Sequence, residues 1–169
     1  LRKQGLRFMW YVVGQGVETL DVEIGRRRLE DCLSTVGQVG VDANPGSDGR
    51  IPADGLVAMY QAADVYAFPS LLENFPMVIP EAMASRTAVV STDAPGCRDL
   101  IVHNETGLQA RAGDPDDFAS QLSRVLSNER LRAGLSRQAH RIVEAWNWPN
   151  VARQYEKLFE SVIEARTHS

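Results

Sequence analysis

The run from Asp64 to Ser91 constrains the fold most. Val65-Tyr66-Ala67-Phe68 is a short apolar segment without polar alternation, as expected of a strand covered on both faces. A loop from Ser70 leads into a helix predicted over Pro76–Ser85. Ala88-Val89-Val90-Ser91 then reads as the next strand. Strand, helix and strand in such short order form the repeating unit of a parallel sheet covered by helices. The same junction carries two carboxylates, Glu73 and Glu81, eight positions apart. A helix start presents free backbone N–H groups that bind anions such as phosphate. A carboxylate on each side can accept hydrogen bonds from hydroxyls. Phosphate beside hydroxyls is the outline of a sugar nucleotide.

The rest of the chain keeps the alternation. Leu6–Val13 is predicted as a strand that ends at Gly14-Gln15-Gly16. Glu18 to Gln38 reads as mainly helical, with Leu29, Cys32, Leu33 and Val36 at helical spacing and Gly25 as a split or kink. Val41 to Gly55, rich in Asp, Gly, Asn and Pro, is a loop, and Leu56 to Ala63 is a short helix with Leu56, Met59 and Tyr60 on one side. Pro95-Gly96 makes a turn before a short helix from Arg98 to Val102. Asn104–Gly107 turns again, and Leu108-Gln109-Ala110 is a last strand. Asp114 is the expected N-cap, with Pro115 at N1, of a helix whose stripe is Phe118, Leu122, Val125 and Leu126. Two more helices follow, Glu129–Glu144 and Pro149–Arg166. The pattern predicts an α/β fold: a doubly wound parallel sheet flanked by helices, as a single domain over residues 1–169. Gly14, Ser70–Glu73 and Thr92–Gly96 fall at the carboxyl ends of strands and are expected to line one crevice.

Composition narrows the function classes. The chain has 169 residues, 44% of them hydrophobic, and a net charge of -4. That balance argues against binding nucleic acid or an anionic membrane through bulk charge. The dense basic run Arg26-Arg27-Arg28 sits among Glu23, Glu30 and Asp31 and reads as a solvated helix face. Cys32 and Cys97 lack CxxC spacing, which suits reduced thiols in a cytoplasmic protein. No stretch approaches the ~18 apolar residues of a membrane span, and no signal peptide is visible. His103, His140 and His168 have no ligand spacing, so no metal is expected. The chain opens on Leu1-Arg2-Lys3 without a Met and runs almost straight into a strand, as a piece of something longer would.

Several motifs in order carry a family resemblance. They are Val13-Gly14-Gln15-Gly16, then Met59-Tyr60-Gln61-Ala62-Ala63-Asp64-Val65-Tyr66, then Pro69-Ser70, then Glu73 and Glu81 with Ala82-Met83-Ala84. Val89-Val90-Ser91-Thr92-Asp93, Asn104-Glu105-Thr106-Gly107-Leu108 and Gly113-Asp114-Pro115 follow. Together they resemble the C-terminal, donor-binding lobe of a GT-B glycosyltransferase of the retaining family 4 group, a Rossmann-like lobe. The resemblance covers nearly the whole chain.

It implies that a sugar moves from a nucleoside diphosphate sugar, UDP- or GDP-linked, to the hydroxyl of a glycan, glycolipid or small glycoside, with retention and without a metal or other cofactor. It implies Glu73 as the acid at the catalytic centre, hydrogen-bonded to the donor sugar. The amides of Asn74, Phe75 and Met77 would approach sugar and diphosphate, with Pro76 between them lacking an N–H. Glu81 would accept from the ribose hydroxyls, and Arg50 and Ile51, in the Gly49–Pro52 loop, would contact the base. Gly14 and Gly16 would let the backbone pass close to the ligand. The terminal helix, 149–166, would cross to the missing N-terminal lobe. Val151, Tyr155, Leu158, Phe159 and Val162 would then be short of cover, and the helix mobile or packed on a neighbouring molecule. A cytoplasmic location, or a membrane-peripheral one for the full-length enzyme, goes with this.

Some features depart from the family pattern. The Arg and Lys that neutralise the diphosphate have no counterpart, since Lys3 and Arg7 are poor substitutes, and the acceptor lobe is absent. The chain alone is therefore expected to bind without turnover. Pro45–Gly49 is poor strand sequence ahead of the base loop, and Arg86 stands where the family usually has Gly. One rival reading is a non-catalytic sugar-nucleotide binding module. Another is an NAD-dependent dehydrogenase, but Thr19 occupies the place of the third glycine of G-x-G-x-x-G. Asp93 and Asp99 read as turn and helix-start residues rather than catalytic acids. Trp146 and Trp148 read as core anchors for the last helix rather than sugar-stacking rings.

Overall fold

The computed structural model describes residues 1–2, 5–39 and 54–167. Lys3, the Val41–Gly49 loop, the base-contact residues Arg50 and Ile51, and His168 lie outside the described residues. In chain order the elements are β1 (Trp10–Val13), a 3-10 turn (Val17–Leu20), α1 (Asp21–Arg27), β2 (Leu33–Val36), α2 (Asp54–Ala62), β3 (Val65–Phe68) and α3 (Val78–Ala84). They continue with β4 (Ala88–Thr92), β5 (Leu108–Ala110), α4 (Pro115–Leu126), α5 (Glu129–Val143) and α6 (Trp148–Thr167). Every strand pair is parallel: β1 with β2, and β3, β4 and β5 in that order. The described strands thus form two parallel sheets, with helices against them.

The core is organised by β4. All five of its residues are buried, and successive side chains go to opposite faces. Val89 joins Ile79, Ala82 and Met83 of α3, Cys97 and Ala139 on one face. Ala88 and Val90 join Leu108, Phe118, Leu122, Val125 and Leu135 on the other. Full burial of a Val or Leu contributes about 1.5–3 kcal/mol, so this strand with its two helical layers is the main stabilising unit. The Asp114 carboxylate caps α4 by accepting from the N–H groups of Asp116 (3.1 Å) and Asp117 (2.9 Å), with Pro115 in the first turn, as the sequence indicates.

Several expectations are corrected. The helix read over Glu18–Gln38 is a 3-10 turn, the seven residues of α1, and then β2. Arg28 turns left-handed (φ 53°), its N–H bonds the Gly25 carbonyl, and the chain leaves the helix. Leu33, Ser34, Thr35 and Val36 then pair with Trp10, Tyr11, Val12 and Val13. Pairing overrides helical spacing here because Thr and Val favour strands. The first strand is correspondingly short. Its pairing begins where the Trp10 N–H meets the Cys32 carbonyl, so Leu6–Met9 stay outside the sheet. Arg98–Leu100 are turn residues and Ile101 and Val102 are irregular, so no helix forms there. α2 begins at Asp54, inside the expected loop, and α3 begins at Val78 rather than Pro76. Trp146 and Trp148 are not core residues: they are 42% and 85% exposed. The Asn147 side-chain oxygen, between the two rings, accepts from the Asn150 N–H at the start of α6. Farther along α6, Tyr155, Leu158, Phe159 and Val162 are each at least half exposed. No described helix is long and apolar enough to cross a membrane.

The end of α3 is informative. The Thr87 N–H bonds the Ala82 carbonyl and the Arg86 N–H bonds the Met83 carbonyl, the two bonds of a Schellman motif. This requires a left-handed residue between them, and Arg86 supplies it at φ 61°. A side chain there costs about 1–2 kcal/mol that glycine avoids, less the extra entropy glycine loses on folding. Arg86→Gly is expected to stabilise the chain by about 0.5–1 kcal/mol, raising Tm by roughly 1–4 °C. A melt showing no gain or a loss would contradict this account of the α3 terminus.

Candidate functional site

The site forms where β3 and β4 end. β3 leads through Pro69 into the loop from Ser70 to Met77, and β4 leads into the turn at Asp93–Cys97. Side-chain hydroxyls and backbone groups lace the two together. Thr92 Oγ1 donates to the Ser70 carbonyl, Ser91 Oγ to the Phe68 carbonyl (3.2 Å), and the Glu73 N–H to the Pro95 carbonyl (3.1 Å). Gly96 closes the contact at φ 82°. A Cβ there would stand 2.3 Å from the Glu73 carbonyl oxygen and 2.8 Å from that of Asn74. Only a glycine lets the two loops touch this closely.

This lacing fixes Glu73. It is half-buried, and its Oε1 accepts from Ser70 Oγ at 2.7 Å. Glu81, also half-buried, lies in the first turn of α3, where the helix dipole favours its charge. Its Oε2 accepts from the Tyr60 hydroxyl at 3.2 Å. Tyr60 on α2 is buried, and its ring meets Tyr66 edge-on with centroids 5.3 Å apart. Tyr66 in turn stacks on Phe68. Burial pushes the Tyr60 hydroxyl well above the ordinary tyrosine range, and Tyr66 and the Glu81 charge add to this. Burial does the same to Tyr66, and there the charges of both Glu81 and Glu73 contribute. Glu81 is thus linked through Tyr60 and Tyr66 to β3, the strand that leads into the Glu73 loop.

Between them the Asn74, Phe75 and Met77 N–H groups have no protein acceptor among the described residues. The side chains of all three are exposed, while Pro76 is buried and its carbonyl accepts from Ile79. The loop also bears exposed Leu71 and Leu72. An apolar cleft of about 650 Å3, walled by Phe8, Trp10, Leu33, Thr92 and Phe118, runs up to Leu71. Cys97, next to Gly96 in the chain, is fully buried in the core cluster with Ile79, Met83 and Val89. Burial holds its thiol above the ordinary range, and the Glu73 charge adds to that. No group of three or more metal-ligating side chains occurs among the described residues.

The structure thus brings Ser70, Glu73, Thr92 and Gly96 together, as the strand ends predict, and adds Glu81. Gly14 (φ 150°) and Gly16 (φ 78°) stand at the end of β1 in the other sheet, with no hydrogen bond to this cluster among the described residues. Asp93 is a turn residue whose Oδ1 accepts from the Ala112 N–H (2.8 Å). Sequence reasoning missed Tyr60 and Tyr66 as members of the site, having read them as a helix face and a strand residue. The available signal was that both tyrosines lie in the Met59–Tyr66 motif, which comes shortly before the acid pair in the ordered series.

The chain is similar to known glycosyltransferases. The chain is 35% identical over 111 residues to the D-inositol 3-phosphate glycosyltransferase of Corynebacterium urealyticum, covering 66% of this chain and 26% of that protein. It superposes on a sucrose-phosphate synthase from Thermosynechococcus elongatus with a TM-score of 0.72 at 26% identity, over 92% of this chain and 38% of the other. It also superposes on Anabaena HepE, crystallised with UDP, with a TM-score of 0.73 at 21% identity, over 91% and 41% of the two chains. The chain spans well under half the length of these proteins. The family model described as glycosyl transferases group 1 matches residues 34–142, from β2 through both acids to α5, and the chain belongs to that family.

Proposed function

We propose that the chain is the donor-binding, C-terminal lobe of a retaining, family 4-type glycosyltransferase that moves a sugar from a nucleoside diphosphate sugar to an acceptor hydroxyl. The observation that carries this reading is the Ser70–Met77 loop and the helix it enters, where Glu73 accepts from Ser70 Oγ, Glu81 accepts from the Tyr60 hydroxyl, and the amides of Asn74, Phe75 and Met77 have no protein acceptor among the described residues. Glu73 accepts from the donor sugar's hydroxyls. The amides of Asn74, Phe75 and Met77 take the diphosphate, whose negative charge grows as the sugar leaves. Glu81 accepts from the ribose hydroxyls, Gly14 and Gly16 give the ligand room, and Arg50 and Ile51 face the base. The solved complexes of Anabaena HepE with UDP and with UDP-glucose support a nucleotide sugar as the ligand class. No metal is needed in this scheme, because amides and side chains bear the charge. The acceptor, a glycan, glycolipid or small glycoside, binds to the rest of the enzyme, in the cytoplasm or at its membrane face.

Calorimetric titration of the 169-residue chain with UDP, GDP, ADP and NAD tests the reading. One of the diphosphates is expected to bind and NAD is not. Adding the matching sugar nucleotide and an acceptor is expected to release no diphosphate from the chain alone. Binding of NAD in preference to every diphosphate, or of none of the four, would overturn the proposal. Sugar transfer by the chain alone would refute the division of labour. Donor binding by a full-length enzyme devoid of transferase activity would favour a non-catalytic binding module.

A further inference from the structure

Glu81 has a fixed partner that the donor reading does not require. The Tyr60 hydroxyl donates to Glu81 Oε2 at 3.2 Å, from a residue only 5% exposed. Tyr60 is itself held from several sides. Its carbonyl accepts from Thr87 Oγ1 at 2.6 Å, a buried bond that ties α2 to the residue before β4. Its ring is braced edge-on by Tyr66. Glu81 Oε1, by contrast, receives no hydrogen bond from any described residue.

We propose that Tyr60 is a positioning residue: it pins one oxygen of Glu81 so that the other is presented, already oriented, to the two hydroxyls of a ribose. This rests on the reading of Glu81 as the ribose acceptor. The physical case is preorganisation. A glutamate on a helix surface samples several rotamers, and fixing them on binding weakens affinity. A carboxylate that is already hydrogen-bonded loses little when the ligand arrives. Burial and the adjacent charge keep the Tyr60 hydroxyl protonated, so it stays a donor to Glu81. Glu73 is held in the same way, by Ser70 through one oxygen only among the described residues. Each acid thus has one oxygen committed to the protein and one available.

Tyr60→Phe removes a single oxygen and keeps the ring contact with Tyr66. Affinities of wild type and variant are to be measured for UDP, GDP and ADP, each beside its 2′,3′-dideoxy counterpart. For the diphosphate that wild type binds, Tyr60→Phe is expected to weaken binding about 3–10-fold, the scale of one hydrogen bond. Its dideoxy analogue should bind wild type and variant alike. In a Glu81→Gln background, Tyr60→Phe should add less than about twofold, because its partner's charge is gone. A merely structural role would weaken both ligands equally. Equal weakening, or wild-type affinities throughout, overturns the positioning role. Tyr60→Met, which also lacks a hydroxyl, serves as the second variant should the Phe form not fold. If wild type itself fails to distinguish a diphosphate from its dideoxy form, or binds none of them, the ribose role of Glu81 falls and this inference with it. If wild type discriminates and Tyr60→Phe discriminates just as well, the positioning role alone falls.

Discussion

Gly96→Ala is expected to destabilise the chain by about 3 kcal/mol and to weaken nucleoside diphosphate binding at least ~10-fold. Two penalties combine. The residue is left-handed (φ 82°), which costs an alanine about 1–2 kcal/mol. The new methyl would also lie 2.3 Å from the Glu73 carbonyl oxygen, and that oxygen is backbone, so the loop must move. Moving it breaks the Glu73 N–H to Pro95 bond and shifts both the acid and the free amides beside it. A loss of ~3 kcal/mol in a chain of this size lowers Tm by roughly 6–12 °C. Gly113→Ala is the control. It has a similar φ of 79° but nothing within 4 Å of the added Cβ, so it should lose only the backbone term and keep full binding. Equal melting temperatures for the two variants would show that the closeness of the loops carries no energy.

The two acids are expected to separate by ligand. Each charge-assisted hydrogen bond contributes about 1.5–3 kcal/mol, or roughly 10–150-fold in affinity. If Glu81 holds the ribose, Glu81→Ala weakens UDP and UDP-glucose by the same factor in that range. If Glu73 holds the hexose, Glu73→Ala weakens UDP-glucose by a similar factor and leaves UDP within about twofold of wild type. Should the titration select another base, the same pair of ligands with that base applies. Competition binding with the two ligands measures both factors at once. A Glu73 variant that loses UDP and UDP-glucose equally would end its assignment to the sugar.

How legible the fold was depended on whether local signals agreed with the pairing of distant segments. β3, β4, β5 and α4 were readable because apolar runs, turn residues and the Asp114-Pro115 cap all point the same way. The stretch from Glu18 to Gln38 was not. Leu29, Cys32, Leu33 and Val36 match a helix stripe, and an arginine triplet is not a stop signal. The deciding interaction is pairing with Trp10–Val13, more than 20 residues away in sequence. Trp146 and Trp148 were misread for a related reason: large rings favour burial, but that preference does not fix where a chain places them, and at the start of α6 they stand 42% and 85% exposed. In the site, Glu73 and Glu81 were visible through their spacing. Tyr60 was hidden, because a tyrosine on the apolar side of a short helix looks like core until its hydroxyl is seen to reach an acid on another helix.

Cys97 turns the Gly96 turn into something that can be timed. Its thiol is fully covered, in the core cluster with Ile79, Met83 and Val89, and held protonated, so an alkylating reagent can reach it only while that packing and the adjoining turn open together. The rate of modification at that sulfur is then a clock for how often the loop breathes. A ligand that clasps the loop shut would slow that clock without touching the sulfur.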